Sequence, residues 1–305
     1  MPSLHDHILE ARANHTAIGH FNVSTLDGIW AVADAAYEMK LPVIVGVSEG
    51  ERDYVGVREA RAIIDSIKAS RKQEIFLNAD HTYSFERVKE AIDAGFDSVI
   101  YDGAKLPLEE NIAVAKKCVE YAKGFSARSL LAERSVPLGE TSRKTLIEGE
   151  LGYIGSSSKV LDEIPAGAVI TEEQMTQPAE AARFVAETGV DLLAPAVGNI
   201  HGLIRGGDPA LNFKLTAAIA QAITVPLVLH GASGNTASDI RQCIQAGVAI
   251  VHVNTELRIA YRAALVKALT EDREEISPYK YLKPAKLAMQ KVVEEKLRIF
   301  TGINS

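Results

Sequence analysis

The chain has 305 residues, of which 47% are hydrophobic and 24% charged, a composition typical of folded globular proteins and not of disordered or fibrous ones. Its formal net charge is −7 and no run or helical face of lysine and arginine stands out, so we expect no nucleic-acid partner. We also expect no membrane association and a cytoplasmic location, because no segment is apolar enough to cross a bilayer and the N-terminal segment lacks a signal-peptide pattern. Cys118 and Cys243 each belong to a helical pattern, which predicts buried free thiols.

Short apolar runs alternate with amphipathic helical patterns along almost the whole chain. The predicted strands are Ile18–Val23, Val43–Ser48, Ile75–Asp80, Ser98–Tyr101, Thr145–Glu150, Leu192–Ala196, Leu227–His230 and Ala249–Val253. The helical patterns between them include Leu26–Met39, Val57–Lys68, Phe85–Ala94, Leu108–Lys123, Pro178–Thr188, Asn212–Ala222 and Ala237–Ala246. This alternation indicates βαβ units and a parallel sheet, and eight units favour a closed (β/α)8 TIM barrel. An open doubly wound sheet is the alternative, but no G-x-G-x-x-G follows the first strand.

Three segments interrupt the alternation. Phe125–Lys144, just before the fifth strand, is predicted to be an inserted helix or loop on the outside of the barrel. Gly155–Ala168, after that strand, is rich in serine and glycine and predicts a long loop at the end of the barrel where active sites are built. Residues 277–305 predict a helical extension, with Pro284 near its start, that packs on the outside or at a subunit interface. We therefore predict one barrel domain over residues 1–305.

Polar, titratable side chains end five consecutive predicted strands, and a packed core does not require them there. They are Asp80 and His81 after strand three, Asp102 after strand four, Glu150 after strand five, His201 after strand six and His230 after strand seven. Because the C-terminal ends of barrel strands meet at one mouth, we expect these side chains to lie together. A single histidine at a strand end is usually solvated, but three with an open fourth position match a catalytic Zn²⁺ site. Asp102 and Glu150 are predicted either to hold imidazole N–H groups or to form a subsidiary metal position.

The remaining histidines and the glycines extend this prediction. We expect His5, His7 and His15 to be solvated, whereas His20 and His252 end strands one and eight and can face the same mouth. The segment HGASG follows strand seven and precedes a helix, which is where barrels place a phosphate cradle.

Taken in order, the chain's motifs form a combination typical of one family. They are GHFNVST, PVIVGVSEG, NADHT, GFDSVIYDGAKLPLEENI, EGELGYIG, LLAPAVGNIHG, VPLVLHGASG and VHVNTELRIA. From about Ile18 to Ala263, outside the inserted segment, the sequence resembles the class II ketose-bisphosphate aldolases, which include fructose- and tagatose-bisphosphate aldolases. The resemblance implies a lyase of carbohydrate metabolism, in glycolysis if fructose 1,6-bisphosphate is its substrate.

The resemblance also implies a reaction and residue roles. His81, His201 and His230 would bind Zn²⁺, which chelates dihydroxyacetone phosphate (DHAP) and stabilises its enediolate. Asp80 would be the acid and base at the aldehyde oxygen, which is the C4 hydroxyl in cleavage. The family's second divalent ion maps to Asp102 and Glu150, and Na⁺ or K⁺ is implied near the phosphate.

The positions that the resemblance assigns to substrate binding fall into four groups. They are Gly202, Gly231, Ala232 and Ser233 at the DHAP end, Asn22 and Ser48 at the other half, Val253, Asn254 and Thr255 after strand eight, and Arg258 at the distal phosphate. The implied partners are small sugar phosphates, and the apolar C-terminal helix makes a homo-oligomer, a dimer or a tetramer, our expectation.

Three positions depart from the family pattern. His252 stands where the family has asparagine, and Ala104 stands where it has serine. The loop Gly155-Ser156-Ser157-Ser158-Lys159 carries no acid where the family places its base toward C3, although Asp162 and Glu163 follow a few residues later. We therefore hypothesise that His252 replaces this base; alternatively, it adds a cation for a different substrate group. The missing acid also leaves open a second function, that of a non-catalytic sugar-phosphate-binding paralogue.

Overall fold

The computed structural model describes residues 2–132 and 144–303. The strands are β1 (Ile18–Asn22), β2 (Val43–Val47), β3 (Ile75–Thr82), β4 (Ser98–Tyr101), β5 (Leu146–Leu151), β6 (Val160–Leu161), β7 (Leu192–Pro195), β8 (Leu203–Ile204), β9 (Leu227–Leu229) and β10 (Val248–Val253). The helices are α1 (Leu4–Ala13), α2 (Leu26–Met39), α3 (Glu49–Val55), α4 (Val57–Arg71), α5 (Phe85–Asp93), α6 (Leu108–Ala132), α7 (Pro178–Thr188), α8 (Phe213–Ala222), α9 (Ala237–Gln245), α10 (Thr255–Glu271), α11 (Pro278–Tyr281) and α12 (Lys283–Thr301).

Eight of these strands close a parallel barrel in the order β1-β2-β3-β4-β5-β7-β9-β10, with β10 pairing back to β1. The predicted (β/α)8 barrel is therefore confirmed. The eight predicted strands are the barrel strands, and their predicted ends differ from the observed ends by two residues or fewer. The short strands β6 and β8 pair outside the barrel and tie the loop after β5 to the loop after β7. Those two strands were not predicted, because two-residue pairings leave no periodic pattern in the sequence.

The core has two layers, one between the strands and the helices and one inside the barrel. Side chains that alternate along each strand point into one layer or the other. On β2, Val43, Val45 and Val47 point outward into the layer between strands and helices, while Ile44 points into the barrel. The interior layer lies at the N-terminal end, where α1 covers it with Leu4, Ile8 and Ala11. The sequence analysis missed α1, although Ser3 and Asp6 form a capping box at its start. One end of the barrel is thus sealed with apolar side chains, and the polar site lies at the other.

The C-terminal helix α12 packs on the outside of the barrel against α2, α10 and β1, burying Met289, Val293 and Phe300 among others. Helix α6 continues to Ala132, into the segment that we expected to be an insertion, and residues 133–143 of that segment lie outside the described residues. Both cysteines are buried free thiols, as predicted. In the described part of the chain, no helix has the length and apolar character needed to span a membrane. The assignment of residues 1–305 to one domain stays a prediction.

Candidate active site and metal centre

The predicted polar residues meet at the C-terminal mouth of the barrel, in and beneath a cavity of about 510 Å³. The predicted residues that line it are Asn22, Ser48, Asp80, His81, His201, Gly202, Gly231, Ser233, His252, Asn254, Thr255 and Arg258. His230, Asp102 and Glu150 lie directly below, in contact with the lining imidazoles. Ala232 and Val253 are fully buried in the apolar core and do not line the cavity.

Three imidazoles direct one ring nitrogen each toward a common point. The Nε2 atoms of His81 and His201 are 3.1 Å apart, and Nδ1 of His230 is buried without a hydrogen-bond partner. Ligand atoms of the three residues lie within 4.8 Å of one another. Two lone pairs this close repel unless a proton or a cation lies between them, and tetrahedral Zn–N bonds would place such nitrogens about 3.3 Å apart.

The opposite nitrogen of each ring has an acceptor, and this acceptor fixes the tautomer. His201 donates from Nδ1 to the carbonyl of Gly155 at 2.7 Å, and His81 donates from Nδ1 to Asp102 at 3.1 Å. Nε2 of His230 lies 2.7 Å from the carboxylate of Glu148. Acceptors on the outer nitrogens leave the inner nitrogens as lone pairs, which is how metal-binding histidines are oriented.

The charges around this point favour a cation. Burial and Asp102 raise the pKa of Glu150 to about 7, and burial together with Glu150 raises the pKa of Glu148 well above its usual range. Burial opposes a charge on His81, but Asp80 and Glu150 outweigh it and raise its pKa. Buried carboxylates in this excess need a positive partner, so the donor set fits a divalent metal bound by the three histidines.

Asp80 lies beside these imidazoles at the end of β3 and is almost fully buried. Burial alone would raise its pKa, but His81 and the contact with His252 hold the pKa well below its usual range. Asn22 donates from Nδ2 to Asp80 Oδ2 at 2.8 Å, and Nδ1 of His252 lies 3.5 Å from Oδ1. The buried guanidinium of Arg52 donates to the Asp80 carbonyl at 3.1 Å. Asp80 is therefore ionised and held from both sides, as a proton acceptor at this position must be.

The polypeptide is strained at His81, the predicted metal ligand that follows Asp80. His81 has a φ of 33°, a region that side chains other than glycine rarely adopt, and the pairing of β3 with β4 shifts register between Ala79 and Thr82. Arg52 spans this irregularity, since it donates to Val47 O and Thr82 Oγ1 as well as to Asp80. Such strain is typical of functional sites, where the surrounding contacts determine the conformation.

Backbone segments around the predicted phosphate cradle approach closely at two glycines. Gly231 has a φ of 62°, and a Cβ there would lie 2.1 Å from the carbonyl oxygen of Ile200. Gly202 has a φ of 104°, and its Cβ would meet the carbonyl of Lys159 at 2.9 Å. The cradle is followed by α9, whose N-terminus is capped by Thr236. The two loops therefore interlock at glycines that line the cavity, just before the N-terminus of α9.

At the far side of the cavity, the predicted phosphate contact Arg258 is tied to a carboxylate that the sequence analysis missed. Its Nη2 donates to Glu51 at 2.6 Å, and Glu51 also accepts from Ser48 and from Asn22. A sequence signal existed, because Ser48 and Glu51 form the S-x-x-E capping box of α3. Glu148 had a signal as well, since it precedes Glu150 by two and both face the barrel interior on β5.

The loop after β5 lines the cavity with uncharged side chains and one cation. Ser156, Ser157, Ser158 and Lys159 line it, and Asn254 Nδ2 donates to Ser158 Oγ at 3.2 Å. No carboxylate of this loop lines the cavity in the described structure. The loop acid that the family resemblance led us to look for is therefore missing from the cavity as well as from the motif.

Two histidines outside the predicted metal centre, His7 and His20, do not lie where the sequence led us to expect. His7 was expected to be solvated, and that expectation is wrong: it is 8% exposed, lies 3.3 Å from Glu74 and packs on Phe76 beneath the barrel. His20 was expected to end strand one and face the mouth, but it lies in the middle of β1 and faces the barrel interior without lining the cavity. Its ring stacks on that of His252 with centroids 3.5 Å apart.

Comparison with known proteins identifies the family. The model of class II fructose-bisphosphate aldolases matches residues 3–129 and 139–305. A fructose-bisphosphate aldolase of Staphylococcus aureus strain Mu50 is 36% identical over 309 aligned positions, covering 99% of this chain and 98% of that protein. The chain therefore belongs to the class II fructose-bisphosphate aldolase family.

Solved structures agree. The YdjI aldolase from Escherichia coli K12 superposes with a TM-score of 0.77 at 28% identity, covering 98% of this chain and 96% of that one. The fructose-bisphosphate aldolase from Campylobacter jejuni has a TM-score of 0.78 at 19% identity, covering 99% and 95%, which shows the shared fold alone. The predicted activity is confirmed at this level: the protein is an aldolase, a carbon–carbon lyase of a metal-dependent family that cleaves ketose bisphosphates.

Proposed function

We propose that this protein is a zinc aldolase that reversibly cleaves fructose 1,6-bisphosphate to DHAP and an aldehyde. One observation carries the proposal: the inner nitrogens of His81, His201 and His230 converge beside the ionised carboxylate of Asp80. Three neutral imidazoles with an open position favour zinc over the oxygen-preferring divalent ions. When bound there, Zn²⁺ would act as a Lewis acid toward the carbonyl and hydroxyl oxygens of DHAP.

Asp80 is the proton carrier at the oxygen of the second product. In cleavage its carboxylate takes the C4 hydroxyl proton as the C3–C4 bond breaks, and in condensation it returns that proton to the aldehyde oxygen. The hydrogen bond from Asn22 keeps Oδ2 occupied. Oδ1 has only the 3.5 Å contact with Nδ1 of His252 and no hydrogen bond, so it is the oxygen available for the substrate.

His252 is the carrier at carbon C3. Burial and the neighbouring His20 lower its pKa to about 3, so the imidazole is neutral at physiological pH, while the neighbouring Asp80 acts in the opposite direction and favours the protonated ring. It lines the cavity 3.5 Å from Asp80, on the strand that follows the phosphate cradle. In condensation it removes the C3 proton of DHAP, and in cleavage it returns a proton to that carbon.

The two ends of the cavity suit the two phosphates of a bisphosphate. Backbone N–H groups around Gly231 and Gly202, followed by the N-terminus of α9, suit the phosphate of DHAP. Arg258 has one guanidinium nitrogen on Glu51 and a side chain that is 45% exposed, which leaves part of its fork for the distal phosphate. Subsidiary binding of a second divalent ion at Asp102 and Glu150, of Na⁺ or K⁺ at the phosphate, and assembly into a dimer or tetramer stay predictions.

The test measures aldol cleavage of fructose 1,6-bisphosphate, tagatose 1,6-bisphosphate and fructose 1-phosphate by zinc-loaded and EDTA-treated protein. We expect zinc-dependent turnover, with fructose 1,6-bisphosphate the best substrate and Asp80→Ala slower by about 10²–10⁴-fold, the usual contribution of a positioned acid or base. Higher kcat/KM for tagatose 1,6-bisphosphate would identify a tagatose-bisphosphate aldolase instead. Absence of metal-dependent turnover on all three sugars would support the non-catalytic paralogue, which the acid-free loop favours.

The role of His252 is tested separately, by exchange of the C3 proton of DHAP with solvent deuterium. We expect His252→Asn to abolish exchange while the protein still binds zinc and DHAP. Exchange at the wild-type rate in this variant would show that another group carries the proton.

A further inference from the structure

Three imidazoles from neighbouring strands form a column inside the barrel. His20 on β1, His252 on β10 and His230 after β9 stack in sequence, with centroids 3.5 Å apart for the first pair and 4.1 Å for the second. His20 and His252 are also paired in register between their strands. The middle ring lines the cavity, one outer ring is a predicted zinc ligand, and His20 neither lines the cavity nor contacts that metal position.

Residues of β2, β3 and β4 hold His20 in place. Asn78 on β3 donates from Nδ2 to Ser98 Oγ at 2.8 Å, which orients its amide so that Oδ1 faces Nε2 of His20 at 3.0 Å. His20 therefore donates from Nε2, and its buried Nδ1 has no partner. On β2, Gly46 makes the space, because a Cβ there would lie 2.1 Å from Cε1 of His20. The ring is completely buried, and these neighbours fix its plane.

A second metal site does not explain this cluster, although His20, Asp80 and His252 have ligand atoms within 4.8 Å of one another. A metal lies in the plane of each imidazole that binds it, along the nitrogen lone pair. The rings of His20 and His252 are parallel within 7° and stacked with centroids 3.5 Å apart, so one ion cannot lie in both planes. The arrangement is a stack and not a chelate.

We infer that His20 is a positioning residue that holds the ring of His252 in place for proton transfer at C3. With His230 on one face and His20 on the other, the His252 ring cannot tilt, and its edge stays directed at Asp80 and the cavity. Without His20 a cavity would open behind His252, and the ring could rotate away from the substrate. This inference rests on the proposed role of His252.

The experiment compares His20→Ala, which removes the back wall, with His20→Phe, which keeps a flat ring at the same place. We expect His20→Ala to slow C3 proton exchange about ten- to a hundredfold, the effect of misplacing a reacting group by about 1 Å. Zinc content and KM for DHAP should stay within about twofold of wild type, because His20 touches neither. His20→Phe should exchange within about threefold of wild type, since it restores the stacking partner.

Two double variants separate positioning from general damage to the fold. Because His20 acts only through His252, adding His20→Ala to His252→Asn should cause no loss of exchange beyond that of His252→Asn alone. Gly46→Ala alone should slow exchange by pushing His20 forward, whereas in the His20→Ala background its methyl group enters vacated space and should cause no further loss.

The inference is overturned if His20→Ala exchanges at the wild-type rate, if it loses zinc together with exchange, or if His20→Phe is as slow as His20→Ala. These failures differ from failure of the proposed function. Normal exchange in His252→Asn would remove the role of His252 and the inference with it, whereas an inactive His252→Asn beside a normal His20→Ala would remove the inference alone.

Discussion

The predicted metal ligands and the proposed proton-carrying histidine, His252, share one mouth of the barrel, but different forces hold them. Each zinc-facing imidazole has a hydrogen-bond acceptor on its outer nitrogen: Asp102 for His81, the Gly155 carbonyl for His201 and Glu148 for His230. His252 is instead held flat between two other rings. A hydrogen bond fixes the direction of a lone pair, which a metal requires, whereas stacking fixes the plane of a ring and leaves its edge able to gain and lose a proton. The two regions should therefore respond differently to substitution, pH and metal.

The largest difference is expected when a metal ligand is removed. His201→Ala should lose bound zinc and reduce turnover at least about a thousandfold, because several kcal/mol of Lewis-acid stabilisation disappear with the ion. Metal analysis and the cleavage assay measure both effects. His5→Ala, on the helix that seals the opposite end of the barrel, is the matched control and should be neutral. Zinc retained in His201→Ala would show that the metal binds elsewhere.

The hydrogen-bond acceptors on the outer nitrogens of the predicted ligands should affect zinc affinity strongly and turnover at saturating zinc only slightly. Glu148→Gln should weaken zinc binding about ten- to a hundredfold, since a neutral amide accepts the His230 proton more weakly than a carboxylate. At saturating zinc, turnover should return to within about threefold of wild type. Competition with a zinc-binding dye measures the affinity, and Glu49→Gln, on the rim of the cavity, is the control carboxylate. Unchanged affinity would mean that Glu148 does not orient His230.

The two regions also differ in how well the sequence predicts them. The barrel was predictable because its strands and helices have clear periods. The meeting of His81, His201 and His230 was predictable because they end consecutive strands, where the topology brings them together. The support of His252 was not. His20, Asn78 and Gly46 lie inside strands rather than at their ends, and only the closed barrel shows that Gly46 makes room for His20.

Missed features near the cavity have a similar cause. Glu51 and Glu148 had local signals, a capping box and an alternating pair, but nothing in the sequence says that Glu51 reaches Arg258 across 207 residues. The exposure of His7 was misjudged because its burial depends on packing against Phe76 of a distant strand. Local patterns predict elements and their ends, whereas contacts between side chains of different strands depend on barrel closure and register.

The two regions should also differ in pH dependence. In the metal-free protein the pKa of His81 is raised by Asp80 and Glu150 despite burial, so zinc must displace a proton from it. Below that pKa, affinity should fall about tenfold for each unit of pH lost, and above it affinity should level off. His252, with a pKa lowered to about 3, stays neutral between pH 6 and 8.

Zinc affinity by dye competition and DHAP proton exchange at saturating zinc, both measured between pH 6 and 8, test this difference. We expect a sloping affinity and a flat exchange rate. A flat affinity would mean that no ligand is protonated in the metal-free protein, and an exchange rate that falls with acid would mean that the proton carrier titrates near neutrality and is not His252.

The smallest effect on C3 proton exchange is expected from substituting the acids of the loop after β5, Asp162 and Glu163. Asp162 lies outside the cavity, is 82% exposed and pairs with Arg205 at 2.9 Å, and Glu163 does not line the cavity either. Exposed ion pairs contribute little and are screened by salt, so Asp162→Asn with Glu163→Gln should leave C3 proton exchange within about twofold of wild type.

The matched comparison is His252→Asn in the same exchange assay, because both changes replace an ionisable group by an amide. A tenfold or greater loss in the loop variant would mean that the loop brings an acid into the cavity during catalysis. Proton transfer would then depend on the loop, and the column of imidazoles would be a feature of packing only.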